Sequence, residues 1–123
     1  MINDFRKQVK AKLDTIEGLK NGKPLPDNMI VEGEYYFGYT VNIATIRDNL
    51  DYSNKQKTIS ITGYLATKGG TLEDIDNFAD EIVSKLAELR FRCITNDIST
   101  LDTTRRYLIT GNVNYNTLDG QLR

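Results

Sequence analysis

The spacing of hydrophobic positions changes along the chain, and each change predicts a new element. Over about residues 2–20 they recur every three or four residues, which predicts a helix with one apolar face. Residues 23–28 contain two prolines, which predicts an irregular, exposed connector. Over about residues 29–67, two runs that alternate apolar and polar residues flank a polar loop at residues 47–57. That pattern predicts an antiparallel hairpin.

The second half of the chain follows a similar layout without a repeat of its residues. Thr71 is a typical helix N-cap, and the apolar stripe that follows predicts a central helix over about residues 71–90. Two more strands are predicted within residues 91–115. The sequence therefore predicts a single α+β domain over residues 1–123, in the order α-β-β-α-β-β. Its four-stranded, mostly antiparallel sheet is expected to have the helices packed on one face.

The composition argues against most kinds of reactive centre. The 123 residues include no histidine and one cysteine, and the net charge is −1. The usual zinc and copper sites and the Ser–His and Cys–His catalytic pairs need residues that are missing. The charge lacks the basic excess of a nucleic-acid binder, and no segment has the length and apolar character of a membrane span. We therefore expect no enzyme activity, no cofactor, no metal, no specific nucleic-acid binding and no membrane association.

A few groups could still carry chemistry, and each has a simpler interpretation. The acidic run at residues 73–76 complements a helix dipole better than it forms a metal site. Glu32 and Glu34 share a strand face and could act as an acid pair, but solvated edge acids are the favoured interpretation. Residues 68–71 could hold a phosphate at a helix start, although a plain strand-to-helix turn is favoured. Cys93 is expected to be a small buried hydrophobe.

Aromatic residues crowd the first long strand. Tyr35, Phe37 and Tyr39 share one face, which we expect to be the core side. Tyr36 points to the other face, where an outward tyrosine is typical interface material. Stacking of single-stranded nucleic acid on this strand would need a basic groove beside it, which the sequence does not predict.

The layout resembles that of the small tail-terminator (tail-completion) proteins of long-tailed bacteriophages, including those of prophages and phage-derived tail-like particles. Five features carry the resemblance: the opening Phe5-Arg6-Lys7-Gln8-Val9, the strand pair with its polar loop at residues 47–57, the helix over residues 72–89, the following Phe91-Arg92-Cys93, and the closing strand over residues 105–115. The resemblance covers nearly the whole chain as a pattern of elements.

The resemblance implies a structural role in the virion tail, without catalysis. Proteins of this family form a homohexameric ring on the last ring of the tail tube, and they can remain monomeric until they meet it. The ring ends tail polymerisation and offers a docking surface to the head-tail connector protein, while DNA passes through its lumen. The partners implied are further copies of the chain, the tail tube protein and the connector. Assembly is expected in the bacterial host cytoplasm.

A closed ring needs contacts between unlike surfaces of neighbouring subunits. We expect the loop at residues 47–57 to reach a neighbour and to set the register by charge complementarity. A solvated loop tip is the simpler alternative. Arg105 and Arg106 point to opposite faces of their strand, so at most one of them serves a given interface. The predicted interface residues are Arg47, Asp48, Asp51, Lys55, Lys57, Tyr36, Arg105 and Arg106.

Two other functions stay open. A phage head-closure or neck protein has a similar size and would contact the portal side. A small-molecule-binding regulatory α+β domain would need a pocket with convergent polar groups between helix and sheet.

Overall fold

Two helices pack on one face of a mixed sheet in the computed structural model, which describes residues 2–46, 56–98, 104–116 and 121–122. The elements are α1 (Ile2–Asp14), β1 (Leu19–Gly22), β2 (Tyr35–Ile46), β3 (Gln56–Lys68), α2 (Leu72–Glu88), β4 (Arg92–Asp97), β5 (Thr104–Asn116) and β6 (Gln121–Leu122). The strand order is β1-β2-β3-β5-β4, and β6 pairs with β5. The described pairings are antiparallel except that of β1 with β2. The predicted α+β class and mostly antiparallel sheet are confirmed.

The sheet has more strands than the four predicted, because the first helix is shorter than its apolar spacing indicates. α1 ends at Asp14, and Gly18 turns the chain with a φ of 85°. Leu19 then enters β1, a short strand parallel to β2. Leu19 is buried, as the helical spacing predicts, but it reaches the core from a strand. The other additional strand, β6, is only two residues long.

The proline-containing connector crosses the sheet face that lies opposite the helices. A Cβ atom on Gly38 of β2 would come within 2.8 Å of Pro24 Cα, so the close approach of the connector requires glycine there. Residues Asp27–Met29 form a short 3-10 turn, and Ile30 is buried. The side chains of residues 23–26 and 28 are exposed, as predicted, while the connector backbone packs closely on β2.

α2 begins and ends with defined capping interactions. The Thr71 side chain accepts a hydrogen bond from the Asp74 backbone N–H at 3.2 Å, as its N-cap position predicts. At the other end, Phe91 N–H donates to Leu86 O at 3.1 Å and Arg90 N–H donates to Ala87 O at 2.9 Å. With the Arg90 φ at 69°, this is a Schellman motif. It turns the chain directly from α2 into β4.

The core lies between the two helices and the facing side of the sheet. Along β2, alternate residues face this core, and the register continues the apolar rows across β3 and β5. Phe37, for example, lies opposite Leu65. The fully buried side chains include Phe37, Ile59, Ile61, Leu65 and Ile109 from the sheet, Val9 and Leu13 from α1, and Ile75, Ile82 and Leu86 from α2. Tyr35 and Tyr39 pack partly buried against this cluster, on the face predicted for them.

Candidate interaction surfaces

Four of the charged residues predicted to set a subunit interface lie outside the described residues. They are Arg47, Asp48, Asp51 and Lys55. Lys57 is the second residue of β3, and Arg105 lies opposite Thr67 near the other end of that strand. A strand rises about 33 Å from residue 57 to residue 67. Arg106 shares the distant end with Arg105. The register therefore separates the loop end of the sheet from the arginine pair, and one small contact cannot include both.

Tyr36 lies partly buried on the sheet face opposite the helices. Its hydroxyl donates a hydrogen bond to the Lys23 carbonyl oxygen at 2.6 Å, and burial raises the pKa of this tyrosine. The side chain therefore anchors the connector to β2. Its predicted role in an interface stays a prediction. Only the exposed part of the Tyr36 aromatic ring could make such a contact.

Three of the acidic residues that the sequence offers as candidates have structural partners. Asp74 accepts a hydrogen bond from the Tyr35 hydroxyl at 3.2 Å, and Asp76 accepts one from the Tyr107 hydroxyl. Glu34 forms an ion pair with Lys20, with 2.5 Å between Oε1 and Nζ. Within the described part of the chain, no three histidine, cysteine or acidic side chains converge as a metal site would require.

Cys93 is half-buried on the helix side of β4 and packs against the core. Burial raises the pKa of its thiol, which lowers the thiolate fraction near neutral pH. Neither described helix has the length and hydrophobicity that a membrane-spanning helix needs.

A groove with a volume of about 700 Å³ lies between α1 and β2, just beyond the end of β1. Its floor is formed by Tyr39, Val41 and the side of α1 at Ala11. Its rim is mainly basic. The rim residues are Arg6, Lys7, Lys10 and Lys23, with Asp14 as the one acidic residue among those that line the groove.

The helical repeat of α1 determines which side of the helix carries these cations. Phe5, Val9 and Leu13 are buried in the core, so the positions next to the first two, Arg6 and Lys10, lie on the flank that faces β1 and β2. Lys10 Nζ donates hydrogen bonds to Asn21 O at 3.0 Å and to Asn21 Oδ1 at 2.8 Å. The same ammonium lies 3.1 Å from Asp14 Oδ1.

The groove also exposes a strand edge. β1 pairs with β2 only from Tyr35 to Gly38, and no other described strand pairs with that edge from residue 39 to residue 46. Arg6 Nη2 donates a hydrogen bond to the Val41 carbonyl oxygen at 2.9 Å, so this carbonyl points away from β3. Because strand backbone groups alternate in direction, Tyr39 and Ile43 present theirs to the same side.

The face of the sheet away from the helices is dominated by hydroxyl and amide side chains. Thr58 donates to Asn114 Oδ1 at 2.7 Å, and Ser60 donates to Asn112 Oδ1 at 3.0 Å, across β3 and β5. Two of the large hydrophobic side chains that are exposed lie on this face: Tyr64 is 43% exposed and Ile94 is 64% exposed. The paired hydroxyl and amide side chains distinguish this face from the basic groove.

The sequence pattern predicts neither the groove nor the exposed strand edge. The spacing of α1 places several lysines on its solvent side, and this basic face was the available signal. The groove itself depends on where β1 ends against β2, which is a long-range contact.

No family model matches the chain, and no curated protein sequence matches it. Among solved structures, the chain is similar in fold to a chain from the structure "Virion of native gene transfer agent (GTA) particle". The TM-score is 0.50, the sequence identity is 9%, and the match covers 88% of this chain and 91% of that chain. The two chains therefore share a fold over nearly their whole lengths.

Proposed function

We propose that this protein is a structural component of a phage-type virion, and more specifically a tail terminator. In this role it caps the last ring of the tail tube as a hexameric ring, ends polymerisation and offers the surface to which the head connector joins. The observation that carries the proposal is the nearly full-length fold similarity to a chain of a gene transfer agent virion. The layout shared with tail-terminator proteins supports the finer role.

The surfaces of the molecule suit a protein that works by docking. An exposed strand edge and an adjoining groove are features that partner proteins use to add a strand or a segment. The proposed partners are further copies of the chain, the tail tube protein and the connector protein. The proposed location is the virion tail, assembled in the cytoplasm of the bacterial host, with DNA passing through the ring.

Replacement of the loop tests this role. Ile46 pairs with Gln56 at the ends of β2 and β3, so a two-residue Asn-Gly turn can replace residues 47–55 and join the strands. If the loop reaches a neighbouring subunit, the shortened protein should fold and melt like the wild type but fail to cap tail tubes. Capping is measured by electron microscopy of tube ends and by tube length distribution, with tubes from the same phage or particle.

A matched control keeps the loop length and removes its charges, with Gly and Ser in place of residues 47–55. Loss of capping in both variants points to the charges, whereas loss in the short variant alone points to the length. Normal capping by both variants would contradict the proposed loop contact. Failure of the wild type to bind tube ends, with binding to the head connector, would favour a head-closure protein instead. A metabolite-dependent rise in melting temperature of the wild type would favour a regulatory small-molecule-binding domain.

A further inference from the structure

We propose that copies of this chain associate head to tail, with the α2 and β4 margin of one copy seated in the basic groove of the next. The inference rests on the proposed function, since it names the contact from which a ring would be built. The occupant of the groove is a second copy of this chain.

The two surfaces lie at opposite margins of the molecule. In the strand order β1-β2-β3-β5-β4, the groove lies at the first margin, beside β1 and β2, whereas β4 forms the other. α1 contacts β1, whereas α2 contacts β3, β4 and β5, so the groove lies beside α1 and the β4 margin lies beside α2. A contact between these margins therefore joins unlike surfaces of two copies.

The flank of α2 near β4 is acidic. Asp76 bonds to Tyr107 of β5, and Asp80 follows one helical turn later on the same side. Asp80 is exposed and forms no ion pair with another described residue. The cation nearest in sequence, Lys85, lies 3.8 Å from Glu88, and Arg90 and Arg92 follow the end of α2. The first half of α2 therefore presents negative charge at this margin.

The groove at the other margin offers positive charge to match it. Lys7 and Lys23 line the groove, are exposed, and form no ion pair with another described residue. The Arg6 guanidinium is held at the strand edge by its bond to Val41. Opposite charge on unlike surfaces favours the head-to-tail contact and opposes a two-fold contact that would place one basic groove against another.

Strand edges at the same two margins add a second element of complementarity. β4 pairs with β5 on one side, and no described strand pairs with its other side. Most of its side chains are exposed. β4 is shorter than the edge of β2 over residues 39–46, so the whole of β4 can lie along that edge. Backbone pairing of β4 with this edge would continue the sheet from one copy to the next, once the Arg6 side chain releases the Val41 carbonyl oxygen. Repeated head-to-tail contacts close into a ring when the rotation between copies allows it.

Charge reversal tests the contact in the full chain. We expect Lys7→Glu and Asp80→Lys each to weaken self-association by about tenfold or more, because each places like charges across the contact. Sedimentation velocity over a range of protein concentrations at low and high ionic strength measures the association. Wild-type association should also weaken as salt screens the charges.

Glu81→Lys is the matched control on the same helix. Glu81 follows Phe78 by three residues, and Phe78 packs against Tyr35 of β2, so Glu81 lies on the α1 side of the helix. This reversal changes the net charge as Asp80→Lys does, but it should leave self-association within about twofold of the wild type, because Glu81 lies away from the contact.

Mixing the two interface variants gives a test that loss of folding cannot imitate. In an equal mixture, the carboxylate introduced by Lys7→Glu meets the ammonium introduced by Asp80→Lys, and the unchanged surfaces of the two variants also match. We expect the mixture to recover association that neither variant shows alone. A mixture without recovery or variants that associate like the wild type would overturn the inference. A wild type that stays monomeric at every concentration, both alone and with tail tubes, would overturn it as well.

The same experiment distinguishes this contact from the wider role. Charge-dependent association by a protein that does not cap tail tubes would support the contact and refute the proposed function. Tube capping that is unaffected by both reversals, with no charge-dependent association, would overturn the contact and leave the function standing.

Discussion

Asp14 shows how single residues of the groove are held in place. It accepts a hydrogen bond from Asn21 Nδ2 at 3.0 Å and pairs with Lys10 at the end of α1. Asn21 belongs to β1, so these bonds join the helix to the short parallel strand. The hydrogen bond from Asn21, followed by that from Lys10, lowers the pKa of the Asp14 carboxyl.

The lowered pKa of Asp14 gives a pH prediction. Because the folded pKa lies below the unfolded value, the stabilising contribution is present above the unfolded pKa and is lost as pH falls through the folded pKa. We expect the Asp14 side chain to titrate below an ordinary aspartate, and Asn21→Ala to raise its pKa. NMR titration of the carboxyl carbon measures both. An ordinary pKa in the wild type would contradict the prediction.

Gly63 marks a point of close packing within β3. It lies opposite Tyr39, and a Cβ atom there would come within 2.6 Å of the Phe37 ring and 2.7 Å of Tyr39 Cβ. The Phe37 and Tyr39 rings stack with centroids 5.4 Å apart, and their packing over this position leaves no room for a methyl group.

We predict that Gly63→Ala lowers the free energy of unfolding by about 1–3 kcal/mol, because the added methyl group forces the core rings to move. Thr62→Ala, at the neighbouring exposed position, is the control and should cost less than about 1 kcal/mol. Urea unfolding of the two variants measures the difference. Equal costs would show that the strand tolerates the methyl group.

At the scale of elements, local signals determine α2 more fully than α1. The Thr71 cap, the acidic first turn and the broad apolar stripe agree with the observed helix over Leu72–Glu88. α1 has the same kind of stripe, but its apolar spacing continues through a turn and into β1. The spacing alone cannot separate a longer helix from a helix followed by a strand when both bury the same residues.

The Thr71 cap can be tested directly. We predict that Thr71→Ala lowers the free energy of unfolding by about 1 kcal/mol, because the Asp74 N–H loses its side-chain acceptor. Thr71→Ser keeps an acceptor oxygen and should retain most of the stability. Chemical denaturation measures all three proteins, and equal losses in the Ser and Ala variants would argue against a capping role.

At the scale of the whole molecule, a net charge of −1 conceals an uneven distribution. Basic residues gather around the groove beside α1, whereas acidic residues gather on α2. Overall composition therefore says little about binding to other proteins, because the two helices carry their charges to different margins of one sheet. The proposed head-to-tail association and the proposed ring both rest on this separation.

The sequence by itself determined the α+β class, the antiparallel pairing of β2 with β3 and the capped central helix. These features depend on the local spacing of apolar residues and on cap and turn residues, which can be read from neighbouring positions. Only the tertiary structure decided the short parallel strand β1, the groove beside it and the placement of opposite charges at two margins. Each depends on contacts between distant segments, and a pattern along the chain specifies a face of an element but not the segment that will lie against it.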